Sequence, residues 1–92
     1  MKIRFSRNAN RFLDGLDESN RNRVQEKITL LQQSLENRQV VPFDELDVKK
    51  LKGEWKGFFR IRVGKIRIIF RIDLNANEIL IYEIKFRRDA YD

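Results

Sequence analysis

Residues 58–72 read Phe-Phe-Arg-Ile-Arg-Val-Gly-Lys-Ile-Arg-Ile-Ile-Phe-Arg-Ile, two alternating apolar and polar runs broken once, at Gly64-Lys65. Period-two alternation is the signature of a strand, and a two-residue break opening on glycine is what a tight hairpin turn needs. So short a loop fixes the register. Val63 then faces Ile66, Arg62 faces Arg67, Ile61 faces Ile68, Arg60 faces Ile69, and Phe59 faces Phe70. One face of the hairpin carries Phe59, Ile61, Val63, Ile66, Ile68, Phe70 and Ile72 and has to be the core. The other carries Arg60, Arg62, Arg67, Ile69 and Arg71.

The rest of the chain arranges itself around that hairpin. Lys2 to Phe5 alternates as a short strand with Ile3 and Phe5 inward. Ser6 can cap a first helix running to about residue 16, with Phe12, Leu13 and Leu16 at helical spacing. Asp17 or Ser19 opens a longer helix to about residue 37, in which Val24, Ile28, Leu31 and Leu35 form one stripe. Residues 38–50 read as an irregular connection around Pro42, followed by strands near 58–63, 66–72 and 79–86. The order is β-α-α-β-β-β, an α+β fold with a helical hairpin on one face of a mainly antiparallel four-stranded sheet. A length of 92 residues suits one domain spanning 1–92. In the last strand, Leu80, Tyr82, Ile84 and Phe86 are expected to face the core, leaving Glu83, Lys85 and Arg87 beside the arginines.

Composition narrows the chemistry. The chain has no Cys and no His, which excludes the usual zinc ligand sets, a thiol nucleophile, a disulfide scaffold and an imidazole base. Hydrophobic residues at 41%, with seven Phe, are enough for a packed core. No apolar run approaches the ~18 residues of a membrane span, and the N-terminus lacks a signal peptide's apolar stretch, so a cytoplasmic protein without a membrane partner is expected.

Charge is distributed unevenly. Residues 1–47 hold eight Lys/Arg and eight Asp/Glu, whereas residues 48–92 hold twelve against six, so the whole excess of +6 lies in the second half. Arg62 facing Arg67 is unfavourable in isolation, since like charges in a cross-strand pair repel. Lone arginines on a sheet face are ordinarily just solvated. Five Arg and a Lys around the single Glu83 point instead to a polyanion, whose phosphates suit the planar guanidinium fork.

Several segments also resemble a known family. Leu51-Lys52-Gly53, Phe59-Arg60-Ile61-Arg62-Val63-Gly64 and Ile66-Arg67-Ile68-Ile69-Phe70 are similar, in this order and spacing, to the core of the RelE/ParE toxin superfamily. Phe86-Arg87-Arg88-Asp89-Ala90-Tyr91 is similar to its closing signature. The resemblance implies a toxin of a bacterial toxin–antitoxin pair, with a cognate RelB-like antitoxin, encoded by an adjacent gene, as partner. Its RelE branch cleaves mRNA in the ribosomal A site without metal or cofactor; its ParE branch acts on DNA gyrase. On the RelE pattern Arg67, Arg87 and Tyr91 are the catalytic candidates, and Arg60, Arg62, Arg71 and Lys85 the RNA-binding ones. Ribosome and mRNA are then the further partners. A plain nucleic-acid-binding domain without toxicity is the third alternative.

The chain departs from the pattern in places. Phe86 stands where many relatives carry His, Phe70 lacks a hydroxyl found in some, and arginines replace first-strand lysines. A permanently protonated arginine is a poor general base. Tyr91 is therefore the candidate for proton transfer, its phenolate favoured by neighbouring arginines, or for stacking on a base. Glu83 reads as the counter-ion that holds the cations in place. Trp55 and Phe58 could stack on RNA or on the ribosome, with core packing or an antitoxin contact equally open. Lys49, Lys50, Lys52 and Lys56 read as general electrostatic contacts or solvated side chains, and Asp44, Glu45 and Asp47 as an acidic patch without an assigned role.

Overall fold

In the computed structural model, which describes residues 1–87, strand β1 (Lys2–Phe5) leads into helices α1 (Arg7–Asp14) and α2 (Glu18–Arg38). Strands β2 (Val48–Lys50), β3 (Phe59–Val63), β4 (Ile66–Asp73) and β5 (Glu78–Phe86) follow. The helices start where short polar side chains can accept from orphan backbone N–H groups. Ser6 Oγ accepts from Ala9 N at 3.1 Å, and an Asp17 carboxylate oxygen accepts from Asn20 N at 3.1 Å. No glycine follows α2; Gln39 takes the left-handed conformation that closes it.

The sheet order is β1-β5-β4-β3-β2, with β1 parallel to β5 and every other pair antiparallel. The hairpin register is the expected one, from Val63 opposite Ile66 to Phe59 opposite Phe70. Gly64 has φ 59°, the positive value that its turn position requires. Val24, Ile28 and Leu31 of α2, with Leu13 of α1, pack onto Ile61, Ile66, Ile68, Phe70, Ile79 and Ile81. That layer between helices and sheet is the hydrophobic core.

Two expectations change. The sheet has five strands, because Val48–Lys50, inside the stretch read as irregular, pairs with β3 as an edge. Three residues are too few to show a period, and their pairing depends on a chain reversal at Asp47, which has φ 51°. The second change lies in β5. Ile69 pairs with Glu83 while Phe70 pairs with Ile81, so Tyr82 is an extra residue in a β-bulge. The bulge inverts the alternation on its N-terminal side. Ile79 and Ile81 enter the core, and Leu80 and Tyr82, expected there, turn to the opposite face. Ser6 stabilises this kink, its backbone N–H donating to Ile81 O at 2.9 Å and its hydroxyl to Tyr82 O at 2.5 Å.

Candidate functional site

The face away from the helices is covered too. Ile69 lies on it, outside the main core, yet is only 1% exposed. The chain between β2 and β3 forms a wall here: Gly53–Trp55 makes a single 3-10 turn, and Trp55 and Phe58 meet the bulged Tyr82. The three rings are edge-to-face pairs, with centroids 5.4 Å apart for Trp55–Phe58, 5.6 Å for Trp55–Tyr82 and 5.4 Å for Phe58–Tyr82. Such pairs add to the burial of the rings and hold their relative orientation.

Against this wall opens a cleft of about 280 Å³. Arg60, Arg62 and Arg67 come to it from β3 and β4, Lys49 and Lys50 from β2, and Lys52, Leu51 and Trp55 from the following loop. Among the described residues, the six charged ones of this lining are all cationic. The register explains the convergence, since Lys49 pairs with Arg60 across β2–β3 and Arg62 with Arg67 across β3–β4. Side chains paired in this way share a face.

Burial distinguishes these arginines from solvated ones. Arg60 and Arg67 are each 5% exposed. Arg60 donates from Nη1 to Asp47 O at 3.4 Å, which ties it to the reversal before β2. A guanidinium held beneath the surface keeps its charge, so these groups are fixed cations that need little reorganisation when an anion arrives.

The remaining candidates are spread more widely. Lys85 pairs with Arg67 in the β4–β5 ladder, and its Nζ lies 3.4 Å from a Glu83 oxygen. Glu83 thus has the counter-ion contact expected of it. Arg87 sits past the end of β5, its backbone N–H donating to Lys65 O at 2.6 Å and its Nη1 to Gly64 O at 3.2 Å. It is anchored to the hairpin turn. Arg71 is exposed opposite Leu80, beyond the bulge, and is not among the residues lining the cleft. Tyr91 lies outside the described residues.

Sequence reasoning underrated the lysines. Lys49, Lys50 and Lys52 belong to the cleft, whereas Lys56 does not line it. The signal available was the charge run before Gly53; what it lacked was the short β2 that brings the run alongside Arg60. In the acidic patch, Glu45 pairs with Arg38 at 3.0 Å and Asp47 provides the carbonyl for Arg60, so both have structural partners.

Known proteins resemble this chain in both sequence and fold. Residues 3–91 match the model of the ParE toxin of type II toxin–antitoxin systems. Toxin RelE3 of Methanocaldococcus jannaschii is 32% identical over 69 residues, which is 75% of each chain. Among solved structures, an archaeal RelE–RelB complex from Pyrococcus horikoshii superposes with a TM-score of 0.73 at 26% identity, covering 97% of both chains. The toxin of the intact E. coli RelBE complex shares the fold, with a TM-score of 0.72 at 13% identity over 99% of this chain and 98% of that one. With the motif order, the helix-on-sheet architecture and the family match in agreement, the chain belongs to the RelE/ParE family of toxins from type II toxin–antitoxin systems.

Proposed function

We propose that this toxin is an endoribonuclease that cleaves mRNA on the ribosome and so arrests translation in the cytoplasm. The observation that carries the reading is the cleft in which Arg60, Arg62 and Arg67 converge with three lysines, with Arg60 and Arg67 buried. Such a cleft suits a phosphate backbone.

The reaction follows from the substrate's own chemistry. The RNA 2′-hydroxyl attacks the adjacent phosphorus in line and the bond from phosphorus to the 5′-oxygen breaks. A 2′,3′-cyclic phosphate and a free 5′-hydroxyl result. One proton leaves the attacking oxygen and one reaches the leaving oxygen, and charge grows on the phosphoryl oxygens between these events. Arg67, on the central strand β4, stabilises that charge in this reading, with Arg87 assisting from the hairpin end. Arg60 and Arg62 grip flanking phosphates, and Lys85 and Arg71 extend the track. Tyr91 is the group proposed for proton transfer. The ribosome orients the strand, a contribution that a domain this small would otherwise have to make itself.

An antitoxin partner follows from the family and from the surface. The Pyrococcus horikoshii and E. coli structures named above are toxin–antitoxin complexes of RelE with RelB. A cationic cleft in a growth-inhibiting protein is well matched by an acidic segment that folds on binding. The family match carries the ParE name, and that observation favours a second reading, a non-nuclease toxin that inhibits DNA gyrase.

One experiment separates them. Induced expression followed by mapping of mRNA ends should show cuts inside translated frames, and purified ribosomes with a vacant A site should support cleavage. Arg67→Ala should slow that cleavage roughly 10²- to 10³-fold, the usual effect of deleting one donor to transition-state charge. Intact mRNA accompanied by DNA damage would establish the gyrase reading instead. Full-rate cleavage by Arg67→Ala would remove that residue from the mechanism.

A further inference from the structure

The cleft wall contains a feature that phosphate binding does not use. Trp55, the sole tryptophan of the chain, lines the cleft beside Leu51 and Lys52. It lies outside the main core and is partly exposed. Phe58 and Tyr82 meet its indole at interplanar angles of 90° and 72°, so neither ring lies parallel on it. The sheet has gone to some length to make this arrangement. The bulge turns Tyr82 away from the core and the Ser6 hydroxyl holds the kink, leaving the 43%-exposed Tyr82 ring beside the indole. A braced aromatic beside a row of cations is the composition of single-strand binding grooves, where cations follow the backbone and rings stack on successive bases.

We propose that Trp55 is a base-stacking residue of the cleft. It receives the unstacked base of the nucleotide whose phosphate the strand arginines hold, with Phe58 and Tyr82 as the residues that position it. The ligand class is single-stranded RNA. The inference rests on the assignment of the cleft to RNA and adds the means by which the cleft distinguishes a nucleotide chain from any other polyphosphate. Stacking is tolerant of base identity, because every base offers a π-face. Trp55 therefore sets the pose of the strand rather than its sequence.

The test uses the full-length toxin: affinity is read from the anisotropy of a labelled strand, and stacking from quenching of Trp55 fluorescence excited to the red of the two tyrosines. Two probes are titrated: a 2′-O-methyl hexanucleotide, which cannot be cleaved, and the same backbone made abasic. The base-bearing strand should quench the indole strongly, and the abasic strand should bind more weakly with little quenching. Trp55→Ala should weaken binding of the base-bearing strand roughly 5- to 150-fold, the range found when a stacking aromatic is truncated. Its affinity for the abasic strand should not change, and Trp55→Phe should fall between. If both strands bind and quench alike, the stacking role is wrong while the cationic cleft stands. If neither strand binds, the assignment of the cleft to RNA fails and the stacking proposal with it. The wild-type titration decides between these outcomes even if Trp55→Ala does not fold.

Discussion

Salt dependence gives the most direct measure of the cleft. Each cation that neutralises a phosphate of a single strand releases about 0.7 of a counterion, and that release sets the slope of log affinity against log salt. Among the described residues six cations line the cleft, so their full engagement predicts a slope of about −4. Between 50 and 200 mM salt the affinity for single-stranded RNA should then fall roughly 300-fold. Lys52→Ala removes one lining cation and should reduce the slope to about −3.5, which limits the fall over the same range to roughly 130-fold. Lys56→Ala is the control: it is an exposed cation four residues away that does not line the cleft, and its slope should match the wild type. The assay is fluorescence anisotropy with a labelled non-cleavable oligonucleotide at several salt concentrations. A wild-type slope shallower than about −1.5 would refute the convergence of these side chains on phosphates. So would an effect of Lys56→Ala as large as that of Lys52→Ala.

Further expectations concern the scaffold. Ser6→Ala removes the cap of α1 and the donor to Tyr82 O, and should lower unfolding free energy by about 1–2 kcal/mol in urea; a loss below ~0.3 kcal/mol would deny Ser6 its double role. Asp17 accepts from the Asn20 backbone and side chain, which holds its carboxyl below the ordinary value of 3.8. Its stabilising effect is therefore present above that value and is lost as pH falls through the lower folded one. Asp17→Asn, which keeps a capping oxygen, should retain the neutral-pH Tm and flatten the acid limb of Tm against pH, whereas Asp17→Ala should lower Tm at neutral pH; an unchanged acid limb in the Asn variant would contradict this. Phe70, fully buried and stacked on Phe59 at 5.3 Å, should cost about 3–5 kcal/mol as Phe70→Ala, measured by denaturant unfolding of the purified protein. If that variant aggregates, Phe70→Leu should still show a smaller loss, and no loss would place the ring outside the core.

The division between what was legible in the chain and what was not follows interaction range. Alternation in 58–72 and the glycine at Gly64 specify the hairpin, its register and the shared face of Arg60, Arg62 and Arg67, because a two-residue turn admits one pairing. Helix boundaries were legible for a similar reason, since Ser6 and Asp17 cap within three residues of their own position. The outer ends of the site were not. Val48–Lys50 becomes a strand only because β3 offers it an edge, and that pairing sets Lys49 opposite Arg60 and leads the chain on to Lys52 at the cleft. Tyr82 leaves the core because the bulge shifts the register and turns Ile79 and Ile81 inward, and an alternating pattern cannot announce a residue that interrupts it. The sequence by itself determined the cationic face and the family. Tertiary packing decided that Arg60 and Arg67 are buried and that Trp55, braced by Tyr82, lines the same cleft, because burial depends on what the rest of the chain packs against the sheet rather than on the strands' own pattern.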